Sequence, residues 1–290
     1  ACPQLMPTPC DVLHTEGTLR LLHFRPSGRR GKKKRTPLVV VPSMINRWYI
    51  VDLRPGASLI EALVNAGHDV WCVDWGRFED EDRYLTWDDC VARLHRAVRR
   101  VQRECDAEKV GMLGYCMGAT LSGVWAALNP GRVATFVNML GPFDFSRGGM
   151  LSDLVNPEWF DAEALTAGGN LPADQMQTGF TSLRPTTQIS KWVNLFHSAH
   201  DPKRRESFYA LETWATDNVP FPAAAYRTYI GELYQQNLLV QGKHYVAGRR
   251  VDLKKITCDV LTVATESDTI CPLPAARAFN QCVGSAVKEE

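Results

Sequence analysis

Long apolar runs are missing from this sequence, so no segment reads as a helix that spans a bilayer. Net charge is nearly missing too. A formal charge of +1 over 290 residues gives no overall field favouring nucleic acid or an anionic membrane. The first residues, Ala1-Cys2-Pro3-Gln4-Leu5-Met6, lack the charged-then-apolar layout of a signal peptide, and the absent initiator Met reads as a trimmed start. Cysteine is plentiful, with nine residues, but no Cys-x-x-Cys pair occurs, which argues against a structural zinc site. The odd count and irregular spacing point instead to free thiols in a reducing cytoplasm. Internal repeats and low-complexity tracts are also lacking.

What is present is a series of short buried-type strands alternating with helices. Leu19–Phe24 is the first strand candidate. Leu38-Val39-Val40-Val41 and Val70–Asp74 are continuous apolar runs, the signature of strands covered on both faces. Ser58–Asn65 reads as a helix stopped by Gly67. Thr86 can cap a longer helix whose apolar stripe is Trp87, Val91, Leu94, Val98 and Val101. Val110–Leu113, Thr135–Leu140 and Val260–Ala264 complete the strand set, and Pro274–Cys282 reads as a final helix. This order predicts an α/β fold with a doubly wound, mostly parallel sheet. Between about Gly141 and Lys243 the buried runs stop, and aromatics with prolines take over, among them Trp159, Phe160, Trp192, Phe196, Phe208 and Trp214. Residues 141–243 therefore read as a helical cap inserted into a core of 1–140 and 244–290. The basic run Arg29–Arg35 reads as a solvated loop or as an anchor for the phosphates of a ligand such as coenzyme A.

Gly114-Tyr115-Cys116-Met117-Gly118 fits the Gly-x-nucleophile-x-Gly turn and lies between a strand and a helix, the context that confirms it. This gives an α/β-hydrolase-type core with Cys116 as nucleophile. The following helix N-terminus is expected to lower the thiol pKa, and the Met117 N–H to face a developing oxyanion. A second donor is expected from Met44 or Ile45 in the loop after the Val39 strand. Asp268, after the Val260 strand, takes the place of the acid, with Glu266 as its rival. None of the seven histidines (His14, His23, His68, His95, His197, His200 and His244) follows Asp268. General-base help is worth roughly 10²–10⁴ in rate. The chain therefore reads as a C-terminally shortened form lacking its last strand and its His loop, with His244 as the substitute to consider.

Together these residues resemble the polyhydroxyalkanoate synthases, in particular the short type whose catalytic subunit works with a second subunit. The resemblance extends from Pro42-Ser43-Met44-Ile45-Asn46-Arg47-Trp48 through Gly67-His68-Asp69-Val70 and Val73-Asp74-Trp75-Gly76 to the cysteine box. It continues in Asp217-Asn218-Val219-Pro220, Asn237-Leu238-Leu239-Val240 and Val251-Asp252-Leu253. Ala119 stands where the family often has Gly. The resemblance implies an acyltransferase that polymerises 3-hydroxyacyl-coenzyme A through a Cys116 acyl-enzyme. It implies no cofactor beyond the coenzyme A of the substrate. It also implies a cytoplasmic place on polyester granules, as a homodimer or with a second synthase subunit, and a Gly-Gly-His loop carrying the base. A Cys-nucleophile thioesterase or esterase, and a truncated, non-catalytic chain that binds partner subunits or granules, are the alternatives.

Overall fold

A computed structural model describes residues 3–25, 36–183, 186–198 and 200–290. The basic run 29–35 lies outside the described residues. Eight strands form the main sheet: β1 (Asp11–Glu16), β2 (Leu19–Phe24), β3 (Leu38–Val41), β4 (Val70–Asp74), β5 (Val110–Tyr115), β6 (Val133–Met139), β7 (Asp259–Val263) and β8 (Lys288–Glu289). Their spatial order is β1-β2-β4-β3-β5-β6-β7-β8. The β1–β2 and β2–β4 pairs are antiparallel, and every other neighbouring pair is parallel.

Two strands were not expected. β1 pairs with β2 through a hairpin that turns at Gly17, where φ is +56°. Its residues are exposed or half-buried and carry no buried run, so periodicity alone did not reveal it. The expectation that the last strand is missing is corrected in part. Lys288 and Glu289 extend alongside β7, with Val260 opposite Lys288 and Leu261 opposite Glu289.

The sheet divides the core in two. Val39 and Val41 of β3 point into one cluster with Trp71, Met112 and the helices α2 (Trp87–Glu104) and α3 (Met117–Leu128). Val40 points to the other face with Cys72, Leu113 and the helix α1 (Leu59–Asn65). This alternation is why β3 is apolar on every residue. The predicted α2 stripe is wholly buried. Thr86 caps that helix: its hydroxyl accepts from the Asp89 N–H at 3.1 Å, while the Asp89 carboxylate accepts from the Thr86 N–H at 2.9 Å.

Residues 141–243 add no strand to the main sheet among the described residues. They form α4 (Met150–Leu154), α5 (Ala162–Leu165), α6 (Ala173–Ser182), α7 (Thr187–Ser198), α8 (Pro202–Thr216) and α9 (Ala223–Thr228). α9 runs directly into a π-helical turn, Tyr229–Gln235. A last helix, α10 (Leu273–Cys282), packs Phe279 against Phe136 and Phe143. Among the described residues no helix is long and apolar enough to cross a membrane.

Candidate active site

β5 ends at Tyr115 and α3 begins at Met117, so one residue must reverse the chain. That residue is Cys116, at φ +55° and ψ −130°, a conformation that costs a non-glycine residue about 1–3 kcal/mol. The surroundings hold it there. Its N–H donates to the Met139 carbonyl at 2.8 Å, and its carbonyl accepts from the Ala119 N–H at 2.8 Å. Both flanking glycines are sterically required. A Cβ on Gly114 would strike the Ala119 backbone, and one on Gly118 would strike the Val41 and Pro42 carbonyl oxygens. Ala119 is itself fully buried, so the methyl group found where the family often has glycine is accommodated in the packing.

Cys116 opens into a cavity of about 460 Å³ beneath the helices of segment 141–243. Most of the wall is apolar, including Leu151, Val155, Phe160 and Ile230. This setting overturns the expectation of a lowered thiol pKa. Burial pushes the Cys116 thiol up to about 11. A hydrogen bond from the Met117 N–H lowers it, and the negative charge of Asp268 adds to the rise. A helix N-terminus stabilises a thiolate only within the first turn, and here desolvation of the charged form outweighs it.

The Met117 N–H lies next to the sulfur in sequence and offsets part of that rise. Ile45 lines the same cavity, and its N–H donates to the Ser43 hydroxyl at 3.3 Å. Met44 is buried in the core cluster and is not part of the cavity wall. Asp268 sits in the loop after β7, where one carboxylate oxygen accepts from the N–H groups of Ile270 (2.8 Å) and Cys271 (3.0 Å). Its charge acts on both Tyr115 and Cys116. Glu266, its rival, is exposed.

No histidine lines the cavity among the described residues. His244 is fully buried, with Nδ1 2.8 Å from a Glu232 carboxylate oxygen and Nε2 without a partner. It is thus tied to the π-helical turn rather than brought to the thiol. His197 and His200 are exposed at the end of α7.

Two features of the wall escaped sequence reasoning. Cys271, held by Asp268, brings a second thiol to the cavity, and burial pushes that thiol up as well. Tyr229 and Tyr234 face the cavity from the π-helical turn. They lie five residues apart, a spacing that an α-helical reading puts on different faces and that i-to-i+5 winding brings together.

A strained nucleophile, a backbone N–H beside it, a nearby carboxylate and an apolar chamber are the parts of a covalent acyl-transfer site. Known proteins agree with this geometry. A family model described as the alpha/beta hydrolase fold matches residues 36–288, and one described as the Poly-beta-hydroxybutyrate polymerase (PhaC) N-terminus matches residues 3–63. The poly(3-hydroxyalkanoate) polymerase subunit PhaC of Haloferax mediterranei is 33% identical over 96% of this chain, which spans 57% of that relative's length. The PhaC subunit of Allochromatium vinosum is 32% identical over 96% of this chain, which spans 79% of that relative. Among solved structures, a hydrolase from Pseudomonas aeruginosa PA01 superposes with a TM-score of 0.55 at 13% identity, covering 97% of this chain and 89% of that one. A lipase-esterase related protein from Clostridium acetobutylicum superposes with a TM-score of 0.54 at 14% identity, covering 94% and 90%. These two speak for the fold alone. From the cysteine elbow and these relatives together, the chain belongs to the poly(3-hydroxyalkanoate) polymerase (PhaC) family, built on the α/β-hydrolase fold.

Proposed function

We propose that this chain polymerises 3-hydroxyacyl-coenzyme A thioesters into polyester through an acyl-enzyme on Cys116. The observation that carries this reading is the strained Cys116 elbow opening into an apolar cavity under a helical roof. The Cys116 sulfur attacks the thioester carbonyl, and the tetrahedral oxyanion is met by the Met117 N–H and, once it turns from the Ser43 hydroxyl, by the Ile45 N–H. The carbon–sulfur bond to coenzyme A breaks, and the acyl group stays on Cys116. The hydroxyl of one acyl unit then attacks a neighbouring acyl thioester; that thioester's carbon–sulfur bond breaks, the freed thiolate takes up the hydroxyl proton, and the ester chain grows by one unit. A thiol suits this work because exchange between two thioesters is nearly balanced in energy. Asp268 activates the attacking hydroxyl, and the Cys116 proton leaves on the coenzyme A thiolate. The cap of segment 141–243 excludes water, so transfer outruns hydrolysis. No cofactor is required beyond the coenzyme A of the substrate.

On this reading the chain works in the cytoplasm at polyester granules, as a homodimer or with a second synthase subunit. The exposed Trp159, Trp192 and Phe196 of the cap supply apolar surface for such contacts. Among the described residues no histidine lines the Cys116 cavity, and this favours a second reading, a synthase-like chain that binds partners without turnover. One experiment separates them. The chain is mixed with 3-hydroxybutyryl-coenzyme A while free coenzyme A, the mass of the Cys116 peptide and the products are followed. An acyl adduct with polymer supports the synthase. Soluble hydroxy acid without polymer indicates a thioesterase, and a folded chain with no adduct indicates the binding role.

A further inference from the structure

The π-helical turn places two phenols on the wall of the Cys116 cavity. The Tyr229 and Tyr234 rings are 5.5 Å apart at 71°. Their orientation is fixed from behind. Phe145 lies edge-on to both, at 5.9 Å from Tyr229 and 4.6 Å from Tyr234, and Trp87 backs Tyr229 at 5.5 Å.

Both tyrosines line the same cavity as Cys116. Burial pushes Tyr229 and Tyr234 well above the ordinary phenol range, so each keeps its proton at any working pH. The pair therefore offers two protonated hydroxyls, each able to donate and to accept, on the wall of an otherwise apolar chamber. A buried pair of this kind discriminates. A ligand hydroxyl satisfies it, and an unsubstituted carbon chain desolvates it without return.

We propose that the Tyr229–Tyr234 hydroxyl pair is a specificity element that binds the 3-hydroxyl group of the acyl thioester while its carbonyl faces Cys116. The proposal rests on the acyl-transfer reading above and adds the feature by which the site tells a 3-hydroxyacyl from a plain acyl group. A neutral hydrogen bond in such a setting accounts for about a tenfold preference.

The test is single-turnover acylation of the full chain by 3-hydroxybutyryl-coenzyme A and by butyryl-coenzyme A. Coenzyme A release and the mass of the Cys116 peptide are measured in parallel. The unmodified chain is expected to favour the hydroxy thioester about tenfold or more. Tyr234→Phe and Tyr229→Phe are each expected to bring that ratio towards one. The ratio makes each variant its own control. A ratio near one in the unmodified chain overturns the proposal, and so does a ratio that both variants leave unchanged, including one in which the two rates fall in proportion. Acylation by both thioesters at equal rates removes this proposal only. Acylation by neither removes the acyl-transfer reading, and the proposal falls with it.

Discussion

Alkylation of Cys116 by iodoacetamide should climb about tenfold per pH unit from pH 7 to 10, without a plateau. The thiolate is the reactive form. Burial raises this thiol from its ordinary 9.0 to about 11, which is two pH units and therefore about a hundredfold less thiolate at neutral pH. The sign is that of an acid whose charged form is disfavoured in the fold. The neutral thiol prevails below the raised pKa, and reactivity appears as pH rises towards it. Because Asp268 contributes to the rise, Asp268→Asn should move the profile to lower pH and speed alkylation several-fold at pH 8. The carboxamide oxygen can still accept from the Ile270 and Cys271 N–H groups, so the loop is expected to hold its shape. Burial, the larger cause, remains, so the variant should still titrate above an ordinary thiol. The assay is peptide-resolved mass spectrometry, needed because Cys271 shares the cavity. A plateau by pH 8.5 in the unmodified chain, or an unchanged profile in Asp268→Asn, would refute the reasoning.

Gly118→Ala forces a methyl group onto the Val41 and Pro42 carbonyl oxygens and should cost about 1–3 kcal/mol in urea unfolding, with slower Cys116 acylation. An unchanged midpoint would show that the elbow yields more easily than its packing implies. His244→Ala should destabilise the chain by about 2 kcal/mol, because it opens a fully buried site and strips Glu232 of its partner. The Cys116 alkylation profile should stay as it was, and a shifted profile would mean that His244 does act on the thiol. Thr86→Ala should lower stability by about 1 kcal/mol through loss of the α2 cap, read as a fall in Tm.

Much of the frame was legible because its causes are local. Continuous apolar runs gave β3, β4 and β5 nearly residue by residue, since a strand buried on both faces has no polar position to alternate. Thr86 marked the start of α2 because a cap is a bond between near neighbours. β1 was invisible for the opposite reason: its exposed edge needs no apolar pattern, only a partner strand.

The sequence by itself determined the elbow. Two glycines around a cysteine, between a strand and a helix, specify a backbone turn whose cost is met by its immediate neighbours. The tertiary structure decided what surrounds the sulfur. Roofing by a distant segment makes the site apolar and raises the thiol pKa against the pull of the helix N-terminus. A π-turn more than a hundred residues away supplies the tyrosine pair, and a hydrogen bond with Glu232 keeps His244 elsewhere. Desolvation and convergence depend on what packs from far along the chain, and no local pattern encodes them.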